Sequence, residues 1–206
     1  NDSFDRLNRN VARLNKQELR HARHAGVFIT YVTQLSDDPF WKDMGISTPS
    51  RIRRMLDIEY VSEIFLVVMH GIQDGRDHLD DYYAWYDEEI PNLEENRRKY
   101  EVCKNLIANL GLHKMETRYS NLADLYSLWS AISKLYDDNG GSLEINIERT
   151  RENFLQFAEK IRVDLEDEQA QIYAWAVRQA SNSIRSRQRR EDALKVLIVV
   201  KGNDNS

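Results

Sequence analysis

The stretch "NLADLYSLWSAISKLYDDNG", residues 121–140, decides the fold class. Leu122, Leu125, Tyr126, Trp129, Ile132 and Tyr136 recur three and four residues apart, which gathers them on one face of a helix. Phe154, Phe157, Ala158, Ile161 and Leu165 repeat the pattern downstream. Between the two lies "DDNGGSLEIN", with Gly140-Gly141 at its centre, so residues 138–146 form an internal loop.

Working outward, Asp38-Pro39 and Thr48-Pro49 each set a capping oxygen before a proline, whose missing N–H costs nothing at a first helical position. The helix starting near Pro49 is expected to run through Ile52, Met55, Leu56, Val61, Ile64, Phe65 and Val68. Its second half is apolar all round, which marks a buried central helix. Gly71 and Gly75 punctuate it. Further helices are expected over about 168–180 and from Asn182 to Val200. "LEINI" at 143–147 is too short to build a sheet, and no sustained strand alternation, internal repeat or low-complexity run occurs. The expected fold is therefore all-α: an irregular bundle of about seven to nine helices, with residues 1–206 as a single helical domain.

Composition narrows the function. With 206 residues, 41% hydrophobic and four tryptophans, the chain can bury a core without a metal or disulfide staple. A net charge of −5 argues against non-specific nucleic-acid binding by the whole surface, though not against a local basic site. Cys103 is alone and sits among Val102, Leu106 and Ile107, as expected of a buried thiol in a cytoplasmic protein. The apolar runs "IFLVVM" (64–69) and "VLIVV" (196–200) are too short to span a bilayer, so no membrane partner is expected.

Few motifs carry chemistry. Glu18-Leu19-Arg20-His21 has the Glu-x-x-His spacing of di-iron bundles, but the second copy such sites need is absent. His70, Asp74, His78 and Asp81 in "HGIQDGRDHLDD" have metal-ligand spacing, yet two glycines interrupt the helix that would align them. Hence no metal site and no cofactor is expected in this chain. "SIRSRQRREDALK" carries Arg185, Arg187, Arg189 and Arg190. Guanidinium forks pair with phosphate oxygens, so these four are candidate nucleic-acid contacts. The competing expectation is an intramolecularly paired face, with Glu191 four residues after Arg187 and Asp192 three after Arg189. Tyr82, Tyr83, Trp85, Tyr86, Trp129 and Trp175 could stack on bases, but aromatic residues at helical spacing are more often core. No Gly-rich phosphate loop, nucleophile elbow or Cys-x-x-Cys pair is present, and no residue is assigned a catalytic role.

The opening "FDRLNRNVARLNKQELRHARHAGVF" (4–28) is unusually rich in amide and guanidinium groups between apolar residues that want a core: Phe4, Leu7, Val11, Leu14 and Leu19. It closely resembles a segment of the GmrSD-type restriction-endonuclease N-terminal domain family. The resemblance rests on Phe4, Arg6, Leu7 and Asn8, then Leu14, Glu18, Leu19 and Arg20, then Gly26 and Phe28, within a motif-bearing segment covering 1–46. "RIRRMLDIEYVSE" (51–63) and "TRYSNLADLY" (117–126) look similar to a subgroup of the family.

In that family the segment follows a small ParB- and sulfiredoxin-like α/β domain bearing an Asp-Gly-Gln-Gln-Arg motif. The resemblance therefore implies that this chain is the C-terminal helical part of a longer protein, with a ParB-like domain before residue 1. The complete protein would use a nucleoside triphosphate with Mg²⁺ to restrict foreign DNA; "QDGRD" at 73–77 is not that motif. On this reading Arg6, Asn8, Gln17, Glu18 and Arg20 contact a nucleotide or the domain seam. The local alternative is that Asn15 caps a helix from Lys16 with Glu18 in the capping-box position, while Arg6 and Arg20 make ordinary salt bridges. The alternative, of a different class, is a non-catalytic helical module that recognises a protein partner or gates an effector.

Overall fold

The computed structural model describes residues 14–75, 78–115, 117–163, 166–179 and 181–201. Among them run eleven α-helices: α1 (Lys16–Arg23), α2 (Val27–Ser36), α3 (Pro39–Asp43), α4 (Pro49–Ile52), α5 (Leu56–His70), α6 (Leu79–Trp85), α7 (Leu93–Leu110), α8 (Leu122–Asp138), α9 (Ile147–Val163), α10 (Glu168–Arg178) and α11 (Ile184–Lys195). The all-α expectation holds. The helix count exceeds seven to nine because α3 and α4 are single short turns, each begun by the proline and capped by the aspartate or threonine before it.

Two boundaries differ from expectation. The last helix, expected to reach Val200, stops at Lys195, and Val200 instead pairs with Ile145. The helix from Pro49 does not run on to Val68 but breaks at residues 53–55, where Met55 takes a positive φ of 54°. Arg51 holds the break closed: its Nε donates to the Ile46 carbonyl (2.9 Å) and its Nη2 to the Leu56 carbonyl (2.9 Å). Across the break the backbone tightens to three-residue bonds, Arg54 N–H to the Arg51 carbonyl and Met55 N–H to the Ile52 carbonyl (both 3.0 Å), before the next helix begins.

Helices α5 and α8 form the centre. α5 packs against α2, α7 and α8, and α8 also carries α11 on its other side; α10 lies on α11, and α9 bridges α7 and α10. The aromatic residues collect where α3, α5, α7 and α8 meet. Trp41 stacks on Trp129 (5.7 Å, 19°), and Tyr100 packs on Trp129 at 4.9 Å. Both tryptophans are wholly buried, so this cluster is core and not a base-stacking platform. Asp138 closes α8, and the expected loop runs over residues 139–146, with Gly140 and Gly141 at φ 69° and 85°, a region glycine enters without a Cβ penalty. Its end pairs with the chain's tail through one antiparallel bridge, Ile145 to Val200. No helix among the described residues is long and apolar enough to cross a membrane.

Candidate functional site

From residue 14 on, the motif segment folds onto α5 with Gln17 and Arg20 turned inward. Asn15 caps α1 as a capping box: its Oδ1 accepts from the Glu18 N–H (2.9 Å), and Glu18 Oε2 accepts from the Asn15 N–H (2.7 Å). A second Glu18 contact reaches Arg54 Nη2 at 3.4 Å. Gln17 and Arg20, three apart on one face, are 0% and 1% exposed. Gln17 Nε2 donates to Tyr83 Oη (2.8 Å), which meets Ser62 Oγ (2.7 Å), and Ser62 in turn donates to the Ile58 carbonyl. Because the serine proton is spent on that carbonyl, Tyr83 is the donor to Ser62, and the chain has one direction. Arg20 Nη1 donates to Glu59 Oε2 (3.0 Å) and Gln17 Oε1 (3.2 Å), and its Nε to Asp80 Oδ1 (2.8 Å). A buried guanidinium is tolerable only when paired and hydrogen-bonded in this way.

This reverses the expectation for the leucines. With Gln17 and Arg20 turned in, Leu19 falls on the outer side of α1 at 36% exposure, and Leu14, just before the Asn15 cap, is 57% exposed. Gln17, Glu18 and Arg20 all find partners within the chain. Arg6 and Asn8 lie outside the described residues. Phe28 is buried as the motif suggests, and Gly26 lies so close to Asp87 that a Cβ would collide with its backbone oxygen.

The four C-terminal arginines do not form one surface patch. Arg187 and Arg190 are drawn into the core at 3% and 1% exposure, Arg185 is exposed, and Arg189 lies 5.2 Å over the half-exposed Trp175 ring. Nor do the expected short-range ion pairs form. Arg187 Nη2 binds Glu63 Oε2 at 2.7 Å instead, Nη1 donates to Tyr126 Oη (2.8 Å) and the Gln73 carbonyl (2.9 Å), and the guanidinium sits 4.0 Å over the Tyr126 ring. Arg190 donates to Ser127 Oγ (2.8 Å), the Ala176 carbonyl (2.7 Å) and the Ser181 carbonyl (2.8 Å). It thereby ties α8 to the end of α10, whose last carbonyls lack helical partners. Glu191 accepts from Ser130 Oγ and Gln188 Nε2, and burial pushes its carboxyl above the ordinary range.

A polar row on α8 underlies these contacts. Asp124, Ser127 and Ser130, three residues apart, meet in turn Arg118 and Tyr173, Arg190, and Glu191. Asp124 is wholly buried between Arg118 Nε (3.1 Å) and Tyr173 Oη (2.6 Å), and Tyr173 is held well above its usual pKa by burial and then by that carboxylate. Beside the row, between α5, α8 and α11, opens a cavity of about 170 Å³ lined by Glu63, Ala123, Tyr126, Asn182, Arg187 and Arg190, among others. Glu59 and Glu63 on α5 and Asp124 on α8 were not singled out from the sequence. The available signal was a set of acidic residues inside an otherwise apolar helix, since a charge there is retained only with a partner.

The "HGIQDGRDHLDD" residues serve other ends. His70 Nε2 meets Tyr86 Oη at 2.8 Å, with the ring stacked on Tyr82. Asp74 Oδ1 accepts the Ile184 N–H at the start of α11 (2.9 Å). No group of three metal-ligating side chains comes together among the described residues. Cys103 is fully buried, and its thiol is pushed up to about 12 by desolvation. Compared with protein-family models, curated proteins and solved structures, the chain matches none.

Proposed function

We propose that this chain is the helical, non-catalytic body of a GmrSD-like protein acting in the cytosol against foreign DNA. Nucleotide-linked restriction then belongs to the complete protein, with its ParB-like domain docked on α1. The observation that carries this reading is the outward apolar edge of α1. Two leucines of the motif, Leu14 and Leu19, face out while the motif's Gln17 and Arg20 are spent inside. The seam is thus apolar, and the guanidinium and amide of Arg20 and Gln17 position it from behind. Of the basic cluster, Arg185 and Arg189 remain as DNA contacts, since only they reach the surface.

Nucleotide hydrolysis and DNA cleavage by the product of the whole reading frame, beside this chain alone, test the reading. The longer product should hydrolyse a nucleoside triphosphate and cleave DNA, and this chain should do neither. Leu14→Ser with Leu19→Ser should impair the longer product while leaving this chain's melting temperature unchanged. A reading frame without the α/β domain, or full activity in the double variant, overturns it. The same apolar edge would then serve a separate protein partner, and the chain would be a helical interaction module.

A further inference from the structure

We propose that the cavity between α5, α8 and α11 is a binding site for a single phosphate group, held by Arg187 and Arg190. The charge balance of the walls is the first reason. Glu63 and Arg187 neutralise each other across 2.7 Å. Arg190, 1% exposed, donates only to a serine hydroxyl and two backbone carbonyls, and no carboxylate among the described residues lies within ion-pair distance of it. The lining therefore keeps one buried positive charge with no carboxylate in direct contact, since Asp124, which acts on it from a distance, is itself bound by Arg118; such a charge is costly unless an anion shares the space.

The second reason is an unused donor. Arg187 is 3% exposed, and while both of its terminal nitrogens are bonded, its Nε has no partner. A buried N–H left without an acceptor is uncommon in a folded protein and points to a missing one. An oxyanion beside the guanidinium would supply it, and the exposed Asn182 lines the mouth of the cavity.

Size selects the ligand. A cavity of about 170 Å³ is well below the roughly 300–1,000 Å³ of ordinary small-molecule sites, so a whole nucleotide does not fit. At about 30 Å³ per water it has room for roughly five waters, or for one tetrahedral oxyanion. The phosphate is either free or the end of a phosphomonoester whose remainder lies outside the mouth. The site is independent of the α1 edge and does not rest on the restriction reading.

Calorimetric titration of the chain with sodium phosphate, in a chloride background of matched ionic strength, reads the site directly, with AMP and ATP as parallel arms. Wild type should take up phosphate saturably at one site per chain, and its melting temperature should climb with phosphate concentration. Ala123→Leu fills the cavity while keeping both arginines; it should weaken phosphate at least tenfold and leave the melting temperature in chloride unchanged. Asn182→Leu at the rim is the second variant should the first fold poorly, and it should weaken phosphate in the same way. Binding of phosphate and AMP identifies a site for the end of a phosphomonoester, and binding of ATP as well extends it to any terminal phosphate; binding of inorganic phosphate alone identifies a free-anion site. Absence of saturable binding overturns the proposal, as does an equal phosphate-dependent rise in wild type and Ala123→Leu, which would be a general salt effect. Tighter binding of acetate than of phosphate overturns it too.

Discussion

Glu63 and Arg187 meet at 2.7 Å across 124 residues of sequence, with side chains only 4% and 3% exposed. One turn earlier on α5, Glu59 holds Arg20 at 3.0 Å. A single helix thus pins an arginine from the chain's first described helix and another from its last. Carboxylates in an apolar helix are costly unless each receives a cation in good geometry, so the sequence of α5 makes sense only with both ends docked.

Gly26 is required by space and not by backbone angle, since its φ is −80°. The Val27 and Phe28 N–H groups donate to the carbonyls of Asp87 (2.7 Å) and Tyr86 (3.2 Å), which brings the Asp87 backbone against Gly26. Gly26→Ala should cost about 1–3 kcal/mol, the usual penalty for forcing atoms into a filled site. Urea denaturation checks this, and a loss below about 0.5 kcal/mol would mean that the α1–α2 turn is free to move away.

Cys103 should be chemically silent in the folded chain. It is fully buried and its pKa is about 12, so almost no thiolate exists at pH 8. Reaction with a disulfide reagent should follow the unfolding transition in a denaturant series; rapid labelling under native conditions would contradict the packing of α7.

Glu191 sets a pH dependence of definite sign. Burial raises its carboxyl in the folded state above the unfolded value of about 4.3. Its favourable contribution is therefore complete below that unfolded value and is lost as pH rises through the folded one. Glu191→Gln, which keeps an acceptor for Ser130, should match wild type near pH 4 and exceed it progressively toward pH 7. Denaturation midpoints of the two proteins across this range read the difference, and a variant less stable than wild type at pH 7 would show that the charge itself is needed.

Burying Tyr126 against Arg187 has a separable consequence. Tyr126 Oη accepts from Arg187 Nη1 (2.8 Å) and from the Gln73 N–H (3.3 Å). Tyr126→Phe leaves both donors short of an acceptor and should lower stability by about 1–3 kcal/mol by equilibrium denaturation. A neutral effect would place water on both donors.

Apolar spacing made one face of α8 legible, since Leu125, Trp129 and Ile132 are buried as it predicts, but not the buried Asp124, Ser127 and Ser130 beside them. The prolines at 39 and 49 located two helix starts, and Asn15 with Glu18 located a third, because caps are local chemistry. What escaped was long-range charge pairing. The partner of Arg187 lies on α5 and not one turn away at Glu191, and nothing in local spacing announces this. The same blindness hid the orientation of α1. Leu14 and Leu19 ask for a core, but Glu59, Asp80 and Tyr83, distant in sequence, turn Gln17 and Arg20 inward instead. The break at Met55 was likewise unreadable, since Arg51 holds it through carbonyls on either side.

The central claim is that buried arginine–carboxylate pairs lock the first and last described helices to α5, and a double-mutant cycle on Glu63→Gln and Arg187→Gln tests it most directly. Each single variant should lose about 3–5 kcal/mol, because each strands a buried group. The cycle should return a coupling above about 1.5 kcal/mol between the two positions. A coupling within about 0.5 kcal/mol of zero, the behaviour of exposed pairs, would contradict the account.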